Sequence, residues 1–297
     1  MPRPGDRVGP YRVTATMGRD GAVERFLARD TAGRDVVLEL LPTGSAAPGP
    51  ARDRFLRDAA VVTRLREPHL VRVHRYGEEG GRLFLATEPL DGDDLATLLT
   101  TRGALEPARA VDVVGQVARA LDAAHDAGVV HGGLTSERVV LLTGARPGDD
   151  VRLTGLGSSV GRHAPADPGG DVQALAALLF ELLTGRPVPA ATATDARPPA
   201  PSALRAGLPE VLDAVVLRGL SADPTERWTS AGGMAAAARA ALSVSGVHVP
   251  ALEVPGAVPQ PPLPRRGRAR VVAVALVVAA AVGGLGVVFR SRLGQLG

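Results

Sequence analysis

The sequence predicts an α+β chain in which a two-lobed domain over residues 11–242 precedes a single membrane-crossing helix. Three observations predict it. Short apolar runs alternate with turn residues as far as Glu88, apolar residues fall at helical spacing after Asp91, and residues 271–289 carry no charge at all.

In the first lobe, Tyr11–Thr16, Val23–Arg29 and Asp35–Leu41 read as strands, separated by Gly18, Gly21 and Thr31-Ala32-Gly33. Arg54–Arg66 places Phe55, Ala59, Val62 and Leu65 on one helical face. Leu70–Tyr76 and Arg82–Glu88 bracket Gly77-Glu78-Glu79-Gly80-Gly81, a hairpin signal. The second lobe is expected to be helical over Asp94–Thr101, Glu106–Ala127, Asp171–Leu183, Leu208–Leu220 and Ser230–Leu242.

Composition removes several classes of chemistry. The chain of 297 residues is 45% hydrophobic, so it buries a sizeable core, and with 3% aromatics that core is Ala, Val and Leu. There is no Cys, hence no disulfide, thiolate zinc site or cysteine nucleophile. Every one of the 34 basic residues is Arg, so no Schiff-base lysine or phosphate-binding lysine exists in it. Six of those Arg lie beyond residue 264 with no acid among them, which leaves 28 Arg against all 31 acids in residues 1–264, a net of −3. A body of that sign speaks against nucleic-acid binding.

The run Val271–Phe289 has 19 residues, which at 1.5 Å each span roughly 28 Å as a helix, the thickness of a bilayer core. Arg265, Arg266, Arg268 and Arg270 precede it as a basic juxtamembrane segment (265–270) suited to anionic lipid, and two Arg follow within the short external tail, 290–297. The bias places the N-terminal domain in the cytoplasm. Residues 243–264, with Pro at 250, 255, 259, 261, 262 and 264, read as an extended linker. Ala279, Ala280, Gly283 and Gly284 put small residues at dimerisation spacing on the span.

Six runs then point to a family. They are Arg54-Phe55-Leu56-Arg57-Asp58-Ala59, Arg82-Leu83-Phe84-Leu85-Ala86-Thr87-Glu88 and the stretch from Leu121 through His125 to His131-Gly132-Gly133-Leu134. Val151-Arg152-Leu153-Thr154-Gly155-Leu156-Gly157, Asp171 through Phe180-Glu181-Leu182-Leu183-Thr184-Gly185-Arg186-Pro187, and Asp223-Pro224-Thr225-Glu226-Arg227 follow. In this order and spacing the chain resembles the membrane-anchored bacterial Hanks-type Ser/Thr protein kinases, over about Tyr11 to Leu242.

The resemblance also implies where phosphates and magnesium would be handled, and those positions differ. The glycine-rich loop corresponds to Gly18-Arg19-Asp20-Gly21-Ala22-Val23-Glu24-Arg25, in which Asp20 and Val23 replace glycines and Arg25 replaces the valine over adenine. Read without the family, the same residues are a hairpin turn around Gly21. Glu39 stands at the phosphate-binding lysine and Asp58 at its helix glutamate, so two acids replace an ion pair. Gly133 stands at the catalytic aspartate, and Arg138 and Gly155 stand at the two magnesium ligands. The resemblance therefore implies no intact catalytic, cofactor or metal site, and no bound cofactor.

Fold-holding positions match instead. His131 and Leu156, with Val62 above them, fit the family's packed column, and Asp171 fits the residue that pins the catalytic-loop backbone. Arg227 has lost its acid, since Ala164-Pro165-Ala166 carries none, and Gly157 to Asp171 is a short activation segment. His69, His74, His125, His163 and His248 show no metal spacing. Ser158 and Ser159 read as solvated loop residues, Thr192 and Thr194 as better phosphosites, and Trp228 as a packing residue. The expected function is a membrane-tethered pseudokinase acting through protein contacts, with a true kinase or a cell-envelope factor as partner. The alternatives are a kinase with an atypical site and a metal-free nucleotide or anion sensor.

Overall fold

A computed structural model of the chain describes residues 2–42, 44–143, 149–158, 167–189 and 198–244, without the side chain of Asp20. The upper lobe is a six-stranded antiparallel sheet plus one helix. Its strands are β1 (Arg7–Val8), β2 (Tyr11–Asp20), β3 (Val23–Arg29), β4 (Asp35–Leu40), β5 (Val73–Glu79) and β6 (Arg82–Thr87), in spatial order β1-β2-β3-β4-β6-β5. Two-residue periodicity gives the sheet two different faces. Phe26, Ala28, Val36, Leu38, Leu40, Phe84 and Ala86 form one core with Tyr11 and Val13, while Leu83 and Leu85 on the other face join the larger core of the second lobe.

Helix α1 (Pro50–Val62) starts four residues before the spacing suggests, because Pro50 sits at the helix start, where a missing N–H costs nothing. It also stops earlier than Arg66, where the Thr63 hydroxyl donates back to the carbonyls of Ala59 and Ala60. The strand expected over Leu70–Tyr76 is displaced to β5, because Leu70 and Val71 are used elsewhere. Leu70 bridges Leu153, and the Val71 amide donates to the Leu153 carbonyl, tying the upper lobe to the lower.

The lower lobe contains a small sheet of β7 (Gly92–Asp94), β8 (Val139–Leu142) and β9 (Val151–Leu153), which the sequence reading leaves out. Around it lie α2 (Leu95–Arg102), α3 (Pro107–Asp126), α4 (Pro168–Thr184), α5 (Pro201–Leu204), α6 (Val211–Gly219) and α7 (Ala231–Val244). Helices α3 and α4 carry its core, which includes Val113, Val117, Leu121, Leu175, Leu179 and Phe180. Strand β1 lies before residue 11, and the last turn of α7 runs past residue 242.

Among the described residues no helix is long and apolar enough to cross a membrane. The span 271–289, the basic segment, the external tail and the linker from residue 245 lie outside the described residues. So do Ala164-Pro165-Ala166, Ser159, Thr192, Thr194, His163 and His248.

Candidate functional site

The cleft between the lobes takes its upper wall from the register of β3 and β4. Arg25 lies directly opposite Glu39, and Glu39 in turn opposite Leu85 on β6, so all three sit on the inward face of the sheet. On the other side of Arg25 stands Gly18, at an irregularity in β2 and with φ +116°, which L side chains rarely adopt. The hairpin turns at Gly21-Ala22, with Asp20 paired to Val23 and Gly21 at φ +56°. The loop of Gly18, Asp20 and Val23 is thus an ordinary two-residue hairpin. Glu24 fastens its base, accepting 2.8 Å bonds from Arg19 and from Arg82.

Glu39 is buried, and its Oε1 lies 3.5 Å from Nε of Arg25 and 3.5 Å from Nη1 of Arg138. Two guanidiniums from different lobes therefore converge on one carboxylate oxygen. Its Oε2 makes no hydrogen bond among the described residues. Asp58 does not join this group. Arg25 turns to Glu39, and the half-buried carboxyl of Asp58 is raised above its usual range by burial, against the pull of Arg54 and Arg57 on its own helix. The buried Glu39 carboxylate is thus compensated by arginine.

Arg138 ends the loop that starts at His131. Its carbonyl accepts from both the amide and the hydroxyl of Thr154, at 2.8 and 3.1 Å, so its backbone is fixed from β9. From there the side chain passes over Gly155. A β-carbon at Gly155 would overlap Nη1 of Arg138 and come within 2.8 Å of Cζ, and Gly155 is at φ +84°. Gly133, half-buried, brings only a backbone amide, which donates to Nδ1 of His131 at 3.2 Å.

The supporting residues are placed as their chemistry requires. Asp171 accepts from the amides of His131 and Gly132 at 2.8 and 2.7 Å and contacts His125 Nε2 at 2.8 Å. Burial pushes its carboxyl up, yet the His125 bond, the nearby His131 and the two amides outweigh that and hold it low. His131 Nε2 meets the carbonyl of Thr154 at 2.9 Å. A β-carbon on Gly157 would meet Val62 at 3.6 Å and Ala59 at 3.9 Å on α1, and Val62 and Leu156 belong to the same core. Arg227 spends its donors on the carbonyls of Ser221, Gly169 and Ala222. Trp228 packs under Arg218, at 4.1 Å, and donates to the Val215 carbonyl. Ser158 corrects an expectation: it is buried, and its hydroxyl donates to the Gly155 carbonyl at 2.9 Å, so it is no solvated loop residue.

At the front of the cleft a cavity of about 430 Å³ is lined by Arg19 and Arg25 above and by Asp94, Thr97 and Glu137 below. Behind it stand Glu39, Gly133, Arg138 and Gly155. Glycines at 133 and 155 offer no side-chain oxygen, Arg138 offers no lone pair, and the carboxylate of Glu39 is taken up by Arg25 and Arg138. Among the described residues no group of three or more acidic or histidine side chains is placed to hold a metal. The convergence of Arg138 on Glu39 was not foreseen in the sequence. The signal for it was two opposite charge changes, acid for lysine and arginine for asparagine, at positions that face one cleft.

The family model described as "Protein kinase domain" matches residues 16–163. The Mycobacterium tuberculosis serine/threonine-protein kinase PknD is 37% identical over 278 residues, covering 84% of this chain and 42% of the relative. PknH of the same organism is 36% identical over 270 residues, covering 81% of this chain and 43% of the relative. The chain thus spans less than half the length of these curated relatives. Among solved structures, the kinase domain of M. tuberculosis PknI superposes with a TM-score of 0.70 at 28% identity, over 81% of this chain and all of that domain. On this match of motifs, lobes and relatives, the chain belongs to the Hanks-type Ser/Thr protein kinase domain family.

Proposed function

We propose that this member of the family is a pseudokinase, which transfers no phosphoryl group and acts by binding other proteins. One observation carries the reading. The four positions that handle charge in the family hold Glu39, Gly133, Arg138 and Gly155, while the positions that hold the fold together are filled and bonded. A positioned proton acceptor alone contributes about 10²–10⁴ in rate, and no carboxylate stands at 133 to supply it. The membrane-tethered arrangement belongs to the same proposal, with the span at 271–289, Arg265–Arg270 against anionic headgroups, and the domain in the cytoplasm. A tethered domain of this kind suits a partner at the same membrane, such as an active kinase or a cell-envelope factor.

The names of the relatives favour a second reading, a working kinase with an atypical site. Incubating the purified full chain with magnesium and γ-labelled ATP separates the two. The expected result is no label on the chain or on a generic acceptor. Transfer above a heat-denatured control, repeated with an independent preparation, refutes the proposal.

A further inference from the structure

We infer that Arg138 is a clamp that closes the cleft without needing a ligand, so that the closed domain is the resting, partner-ready form. The inference rests on the non-catalytic reading above and adds how that site is regulated. Closure of a two-lobed domain usually draws its free energy from whatever bridges the lobes, and a diffusible ligand supplies that bridge only at sufficient concentration. Here the bridge belongs to the chain. Its foot is the Arg138 backbone, fixed to Thr154, and its head is the guanidinium on Oε1 of Glu39. Both ends are buried, with 10% and 3% of the side chains exposed, so the charges attract at short range with little screening. The backbone of Glu39 is held in place, because β4 is paired on both sides, to β3 and to β6. Gly155 leaves the guanidinium the room to cross.

The geometry separates two roles that one arginine can play. Arg138 compensates a buried acid, which affects overall stability, and it also joins two bodies, which affects how often the cleft opens. Replacing Arg138 with glutamine removes both, whereas replacing Glu39 and Arg138 together with glutamine removes the joint and the buried carboxylate with it, leaving Arg25, a quarter exposed, to be hydrated. The experiment uses the full chain, read by urea unfolding and by amide hydrogen exchange of β3, β4 and residues 153–157, with helices α3 and α4 as internal reference. R138Q is expected to unfold at lower urea and to exchange about tenfold faster in the cleft segments, an opening free energy lower by about 1.4 kcal/mol. E39Q/R138Q is expected to regain most of the urea midpoint while its cleft segments stay about tenfold faster. Magnesium–ATP is expected to change no segment of the wild-type chain.

If the cleft segments of E39Q/R138Q exchange within twofold of wild type, Arg138 serves only to neutralise Glu39, and the clamp is refuted. Protection of the wild-type cleft by magnesium–ATP refutes it too, since closure would then depend on a ligand. Phosphoryl transfer by the chain is a separate outcome that overturns the non-catalytic reading. Unchanged exchange without transfer overturns the clamp alone.

Discussion

Arg138 and Gly155 share one volume: the guanidinium of the first lies where a side chain on the second would begin. The arrangement makes the two positions interdependent. A side chain at 155 and the guanidinium of Arg138 cannot both keep their places.

The first prediction follows directly. Gly155→Asp must push aside a buried guanidinium that is paired with Glu39, and it places a side chain at φ +84°. The expected cost is about 2–3 kcal/mol in unfolding free energy. With Arg138→Asn added, the collision disappears, and the double variant is expected to lose less stability than the sum of the two single losses. Strict additivity of the two single effects would show that the residues do not share space.

A second prediction concerns Arg25. Leaving a buried carboxylate without its partner generally costs ~1–3 kcal/mol. The structure lowers that figure, because Arg138 remains on the same oxygen and Arg25 makes only a long contact with a quarter of its side chain exposed. Arg25→Val is therefore expected to cost about 0.5–1 kcal/mol, and Arg138→Gln distinctly more. Urea midpoints of the two variants settle the order, and a larger loss from Arg25→Val would reverse the assignment of roles.

These contrasts show what was legible in the sequence. The hairpin of β2 and β3 was, because the turn around Gly21 marks the fold-back. The helical half was legible from its periodicity, as α3 and α4 match expectation to within a few residues. Strands β8 and β9 were not, being four and three residues long and flanked by segments of mixed character. Nor was the reach of Arg138 to Glu39, since periodicity reports which face a residue occupies and not how far a long side chain crosses to another lobe. Ser158 was misread for a similar reason: its hydroxyl finds a carbonyl three residues back, and that local bond lets a polar residue be buried.

The last prediction concerns Asp171, whose carboxylate organises the loop beneath the cleft. It accepts two backbone amides and contacts His125, and the bonds hold its proton affinity below that of the unfolded chain, where an aspartate titrates near 3.8. Between the two values the unfolded state binds more protons than the native one, so stability rises with pH there. The contribution is complete above the unfolded value and is lost as pH falls through the folded one. Asp171→Asn keeps the shape but has no charge to lose, and it presents an amide where three donors already point. At pH 7 the variant is expected to be less stable by about 2–4 kcal/mol. As the buffer is taken from pH 5 down through pH 3, the wild-type chain should lose stability more steeply than the variant, and the gap should narrow. Urea midpoints at pH 7, 5, 4 and 3 measure it. A gap that is constant across this range would mean that folding leaves the proton affinity of Asp171 unchanged, so that the amides of His131 and Gly132 and the His125 contact do not favour its charged form.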